Sequence, residues 1–280
     1  MSYSITDILS YTFMQRALIV GVPVALCAAL LGVSLVLKRY SMIGDGLSHV
    51  GFGALAVAAA MNLAPLEVAI PVVIIAAFLL LRVSENSKIN GDGAIAIVSS
   101  SALAIGIVVT SVTGGLNTDL YSYLFGSILA LTQEDVILSL VLCAVVLFIY
   151  IFFYNKIFAV TFDENFSRAT GTNAKAYNML LALLTALTVV LGMQIMGTLL
   201  ISSLIIFPGL SAMRVFKSYR SVVISASVQS IVCVVLGLFV SFYAETATGA
   251  TVVCMNLACF LIFSLFGFAK SLRVFSSGTN

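Results

Sequence analysis

The sequence predicts an all-α fold, a polytopic transmembrane helical bundle of about nine spans. Three observations carry that expectation. Hydrophobic residues make up 61% of the 280 and charged residues 9%, with a mean hydropathy of +1.18; no soluble core needs that much apolar sequence. The apolar runs are about 20 residues long, enough to cross a ~30 Å hydrocarbon layer as helices. No run shows the strand-length alternation of a membrane barrel. The net charge of +2 gives no basis for nucleic-acid binding. Length and short connections point to one membrane domain over 1–280, without a strong internal repeat.

Met1 to Arg16 lacks the short apolar stretch and small-residue cleavage site of a signal peptide, so the first apolar run is expected to be retained as a span. Spans are expected near 13–37, 42–61, 66–82, 93–113, 135–154, 177–193, 195–214, 221–243 and 249–269. Only Gly192 to Gly197 separates the sixth from the seventh, which leaves eight spans, or one long broken helix, as the alternative. Charge favours nine. With nine spans, twelve of the thirteen basic residues fall on one side and only Arg16 on the other. The positive-inside rule then places the N-terminus outside and the C-terminus in the cytoplasm. Fusing the sixth and seventh spans would move Arg214, Lys217 and Arg220 outside.

Two connections carry more than a turn. The outer segment 114–132, with Tyr121 and Tyr123, is too polar to span and too apolar for a free loop, and reads as an interfacial helix or re-entrant hairpin. Thr132 and Asp135 have the spacing of a capped start to the next helix. The basic-side loop 155–176 contains a short helix signal. Asp163 is placed as an N-cap, acids follow in the first turn, and Gly171 is placed to end the helix. Phe162, Phe166 and Ala169 recur at helical spacing on one face, and Arg168 is the only basic residue on the other. Such an amphipathic helix lies on lipid or fills a groove on a partner protein, and one cation is little for lipid.

The chemistry concentrates in the second span. Asp45 and His49, the only histidine, stand one helical turn apart and so share a face. A start near Ser41 puts them roughly 6 Å and 12 Å inside the membrane. An ionisable pair in hydrocarbon is costly unless it meets a partner, water or a cation, and marks a functional site, with a divalent metal as the obvious ligand. The pair also reads as a self-satisfied structural couple. One carboxylate and one imidazole are an incomplete shell for zinc, which prefers four ligands; water or a second subunit can complete a transport site. Asp92, at the start of the fourth span, is a further candidate carboxylate or a helix N-cap. Glu67 and Glu245 read as solvated helix-end charges. Met193 and Met196 read as packing, as do the five scattered cysteines, Cys27, Cys143, Cys233, Cys254 and Cys259.

The motif Gly44-Asp45-x-Leu47-Ser48-His49, the outer segment Asp119 to Leu129, the loop Phe162 to Gly171 and the segment Gly197 to Pro208 together resemble the permease subunits of bacterial zinc and manganese ABC importers (the ABC-3 family), in order over nearly the whole chain. The chain departs from the commoner pattern after His49, where it reads Val50-Gly51-Phe52-Gly53 without a nearby proline. The resemblance implies a plan similar to the iron-siderophore and vitamin B12 permeases, a homodimer in a bacterial plasma membrane, a cytoplasmic pair of ATP-binding subunits and an extracytoplasmic metal-binding receptor protein. It implies that Asp45 and His49 face the path of a transported zinc or manganese ion, with no permanently bound cofactor. It further implies that Phe162, Asp163, Phe166, Arg168 and Gly171 belong to the segment that docks the ATPase. No Gly-x-x-x-x-Gly-Lys-Ser/Thr loop occurs, so ATP hydrolysis is expected from a separate chain. A secondary divalent-metal carrier or channel is the alternative, and predicts more intramembrane ionisable residues. The lone histidine argues against an intramembrane metalloprotease, which needs a complete metal site, usually His-Glu-x-x-His. Imidazole suits zinc slightly better than manganese, which prefers a larger oxygen set.

Overall fold

A computed structural model describes residues 5–86, 91–113, 124, 126 and 132–277. Its helices are α1 (Ile5–Ser10), α2 (Thr12–Leu37), α3 (Ile43–Ala60), α4 (Pro65–Asn86), α5 (Gly91–Val112), α6 (Gln133–Phe152), α7 (Tyr154–Phe162), α8 (Glu164–Ala169), α9 (Ala174–Met196), α10 (Thr198–Val215), α11 (Tyr219–Ala244) and α12 (Thr248–Ser277). Every expected span coincides with one helix. Among the described residues, eight helices are long and apolar enough to cross a membrane, and α10 contributes a shorter apolar stretch over Ile201–Val215.

Helix ends follow local chemistry. The Thr132 hydroxyl accepts from the amide of Asp135 while the Asp135 carboxylate accepts from the amide of Thr132, the reciprocal cap expected from the sequence. The rest of the expected interfacial segment lies outside the described residues, Leu124 and Gly126 excepted.

Helix α2 is the central column. Its C-terminal end, marked by Lys38, defines one end of the bundle. There the hydroxyls of Ser34 and Tyr219 are 2.9 Å apart and those of Tyr219 and Tyr150 3.1 Å, tying the start of α11 and the end of α6 to α2. At the far end Tyr11 and Phe13 stack near Phe242. Helices α2 and α11 are therefore antiparallel, and the Ser230 hydroxyl donates to the Ala25 carbonyl midway.

Helices α9 and α10 form a hairpin inserted from the Lys38 end, not one broken crossing. Asn178 near the start of α9 receives a hydrogen bond from Lys38, whereas Met193 near its end lies against Gly51 in mid-α3. The chain reverses at Gly197, whose φ of 83° and ψ of 159° belong to a region almost confined to glycine. Helix α10 then descends, with Ile201 against Gly192, Ile205 against Gly32 and Gly209 against Val33. At 1.5 Å per residue, the tip stops roughly 7 Å short of the level where α3 ends. This irregular backbone is buried in protein, as an intramembrane break must be. The hairpin returns Arg214 to the Lys38 end, in agreement with the charge count, so that α12, whose Gly267 faces the Arg214 carbonyl, runs to that same end of the bundle.

Lipid offers no hydrophobic force between helices, so close approach of backbones substitutes for it. A Cβ on Gly32 would stand 1.9 Å from the Ile205 carbonyl oxygen, and one on Gly53 2.7 Å from that of Ala102. By contrast, a Cβ on Gly21 would meet a Val234 methyl at 3.4 Å. Gly32→Ala is therefore expected to destabilise the protein by about 1–3 kcal/mol through enforced helix separation, while Gly21→Ala is close to neutral. Thermal unfolding of the two purified variants in detergent checks this.

Candidate metal site

The first turn of α3 carries Asp45, where unpaired backbone amides favour a negative charge. Its side chain is 31% exposed and that of His49 11%. His49 Nε2 lies 3.7 Å from Asp45 Oδ2, too far for a hydrogen bond, and His49 Nδ1 is buried without a partner. The two residues face each other as spacing predicts, within ion-pair distance but without a hydrogen bond between them.

A third group arrives from the hairpin. The Ser202 hydroxyl of α10 donates to Asp45 Oδ1 at 3.2 Å, and the Ser48 hydroxyl donates to the Asp45 carbonyl at 2.8 Å. Ser202 lies in the segment Gly197 to Pro208 that carries the resemblance, but nothing in its spacing singled it out. Among the described residues, no group of three or more His, Cys, Asp or Glu comes together.

Helix α5 runs parallel to α3, because Gly46 faces Ile95 and Gly53 faces Ala102. The same register puts the backbone of Asp92 level with Ile43, half a turn nearer the Lys38 end than Asp45. Asp92 is itself helical, within α5; its side chain lies outside the described residues. Glu67 and Glu245 are exposed at helix ends, as expected. Met193 is fully buried as packing, and the side chain of Met196 lies outside the described residues. The cysteines are all free, but Cys254 is exposed and Cys259 half-buried, so the uniform buried-packing expectation fails for them.

The loop helix α8 sits at the Lys38 end. Asp163 Oδ1 accepts from the Phe166 amide at 2.9 Å, and Gly171, at φ +80°, closes the helix with Thr172 donating to the Ser167 carbonyl. Arg168 pairs with Glu164 at 2.5 Å. One expectation is corrected: Phe162, Phe166 and Ala169 do not share one continuous helix. An N-cap requires non-helical backbone, and Asp163 at φ −145° breaks the chain there. Phe162 consequently ends α7, its ring tilted against Phe158 and edge-on to Tyr219, though all three apolar residues remain exposed, Phe162 at 60% and Phe166 at 64%.

The family model of the ABC 3 transport family matches residues 10–267. The chain belongs to the ABC 3 transport family. Relatives of this ABC 3 chain include the manganese transport system membrane protein MntC of Listeria monocytogenes, 30% identical over 92% of each chain. The high-affinity zinc uptake system membrane protein ZnuB of Haemophilus influenzae is 30% identical over 89% of this chain and 95% of its own. Among solved structures, PsaBC from Streptococcus pneumoniae in complex with Fab superposes with a TM-score of 0.83 at 32% identity, covering 92% of this chain and 93% of that one. An inward-facing metal-chelate type ABC transporter, 16% identical with a TM-score of 0.71 over 90% of this chain and 84% of that one, shares the fold. As an ABC 3 family member, this all-helical chain is a multi-pass permease subunit of an ABC transporter.

Proposed function

We propose that this chain forms the membrane path of an ATP-driven importer for a divalent transition metal, with Asp45 and His49 as ligands to the passing ion and Asp92 as a further candidate carboxylate. The observation that carries the reading is the buried His49 imidazole with an unpartnered nitrogen, one turn from a half-exposed carboxylate in a family whose named members move manganese and zinc. A partial shell suits a transported substrate, since water or a second copy of the chain can complete it and the ion must leave. Zinc is the better match to a site with an imidazole and few oxygens. The Lys38 end is the cytoplasmic side by the distribution of basic residues, which leaves the N-terminus outside. The exposed Phe162 and Phe166, with Asp163, Arg168 and Gly171 shaping the loop, form the dock for a pair of ATP-binding subunits, and a metal-binding receptor protein delivers the ion from outside.

Isotopically labelled zinc and manganese, offered singly and in competition to the complete complex in vesicles, test the function. ATP-dependent uptake in which zinc outcompetes manganese is expected; preference for manganese would overturn the choice of ion, and uptake without ATP would overturn the importer. Ligation by His49 requires a neutral imidazole, so protons compete with the metal and binding should weaken as the pH is lowered. Titration of the permease with metal at descending pH checks it, and a flat profile removes His49 from the ligand set.

A further inference from the structure

We propose that Lys38, Glu164 and Asn178 form the linkage that carries movement of α8 to the helices holding the Asp45 site, a role that rests on α8 being the ATPase dock. Lys38 follows the last residue of α2, and its side chain is only 7% exposed. Its Nζ lies 3.3 Å from Glu164 Oε2 and 2.7 Å from Asn178 Oδ1, and Asn178 Nδ2 donates to the same Glu164 oxygen at 3.1 Å. Each of the three side chains thus touches the other two, and each belongs to a different element: the end of α2, the first turn of α8 and the second turn of α9. Glu164 Oε1 turns the other way and receives Arg168.

Helix α8 has little else to hold it. At six residues it is too short to be stable alone, and its apolar side chains, Phe166 and Ala169, point away from the bundle. A load on α8 is therefore borne at Glu164. Burial acts to raise the pKa of Glu164, but the Asn178 amide, the Lys38 ammonium and the Arg168 guanidinium outweigh it and hold the carboxyl below the ordinary glutamate range, so it is ionised at neutral pH.

Both outgoing routes end at the metal site. Along α2, Gly32 is pressed against the backbone of Ile205, and Ser202, three residues before Ile205, holds Asp45. Along α9, the helix rises to Met193, which abuts Gly51 just beyond His49, and reverses at Gly197 into the helix that bears Ser202. A partly buried ion pair adds little net stability over apolar replacements but fixes geometry, the property a linkage needs.

The test uses the reconstituted complex with its ATPase and reads three quantities: co-purification of the ATPase, ATP hydrolysis, and metal taken up per ATP. Lys38→Met combined with Glu164→Gln leaves no buried charge unpaired in the triangle. It is expected to retain the ATPase within twofold and to hydrolyse ATP, with uptake per ATP reduced at least tenfold. Lys38→Arg, which keeps the charge, should recover most of the coupling, and Asn178→Leu, which frees only α9, should lose several-fold. Wild-type uptake per ATP in the double variant, or loss of the ATPase from it, would overturn the linkage. Failure of the docking reading shows separately, as undiminished ATPase recovery with Phe166→Ala.

Discussion

Alanine at either Asp45 or His49 is expected to reduce ATP-dependent metal uptake to background while the permease remains folded and inserted. In the proposed site Asp45 and His49 are the ionisable donors, one helical turn apart, and a desolvated cation that loses one is left poorly compensated. Breaking such a buried charge contact costs on the order of 3–5 kcal/mol, a hundredfold or more in affinity. Asp45→Asn, which keeps the shape and an acceptor for Ser202 but removes the charge, should fail almost as completely. Ser202→Ala should fall between, because it removes one hydrogen bond to the carboxylate, worth about 1–2 kcal/mol, and no ligand charge. Uptake of labelled metal by vesicles, normalised to inserted complex, ranks the variants. Wild-type rates with both alanine replacements would refute the site.

Phe166→Ala is expected to release the ATPase and to depress transport, while metal binding at Asp45 and His49 stays at the wild-type level. Phe166 is 64% exposed on a helix whose only buried residue is Ser167, so its ring has no packing duty within the chain. Burying an aromatic side chain in a partner's groove is worth about 1.5–3 kcal/mol, enough to shift association tenfold or more. Phe162→Ala should cost the chain more and the interface less, since that ring also packs against Phe158 and Tyr219. Co-purification of the ATPase with each variant, alongside metal-stimulated hydrolysis, decides. Equal recovery with Phe166→Ala would assign α8 to the lipid surface instead.

Features set by neighbours along the chain were legible in advance. Run length and hydropathy located all nine apolar helices, because a helix in lipid must satisfy its backbone within itself. The caps by Thr132 and Asp163 depend on contacts three residues away, and the approach of Asp45 to His49 on one of four, distances that helix geometry dictates. Charge on the loops, which requires only parity, put Arg214 at the same end as Lys38. The failure at Phe162 came from extending a helical face through a residue whose own carboxylate breaks the helix.

Tertiary structure alone decided which faces meet. These helices are apolar on the lipid side as well as the packed side, so periodicity does not reveal which stripe faces a partner. The reversal at Gly197 turned two adjacent apolar runs into a hairpin. That hairpin brought Ser202 to Asp45 from 157 residues away, and the packing of α2, α8 and α9 brought Glu164 and Asn178 to Lys38. The placement of Ser202 goes with the glycine contact of Gly32 on the Ile205 backbone, a property of the pair of helices that neither segment carries by itself.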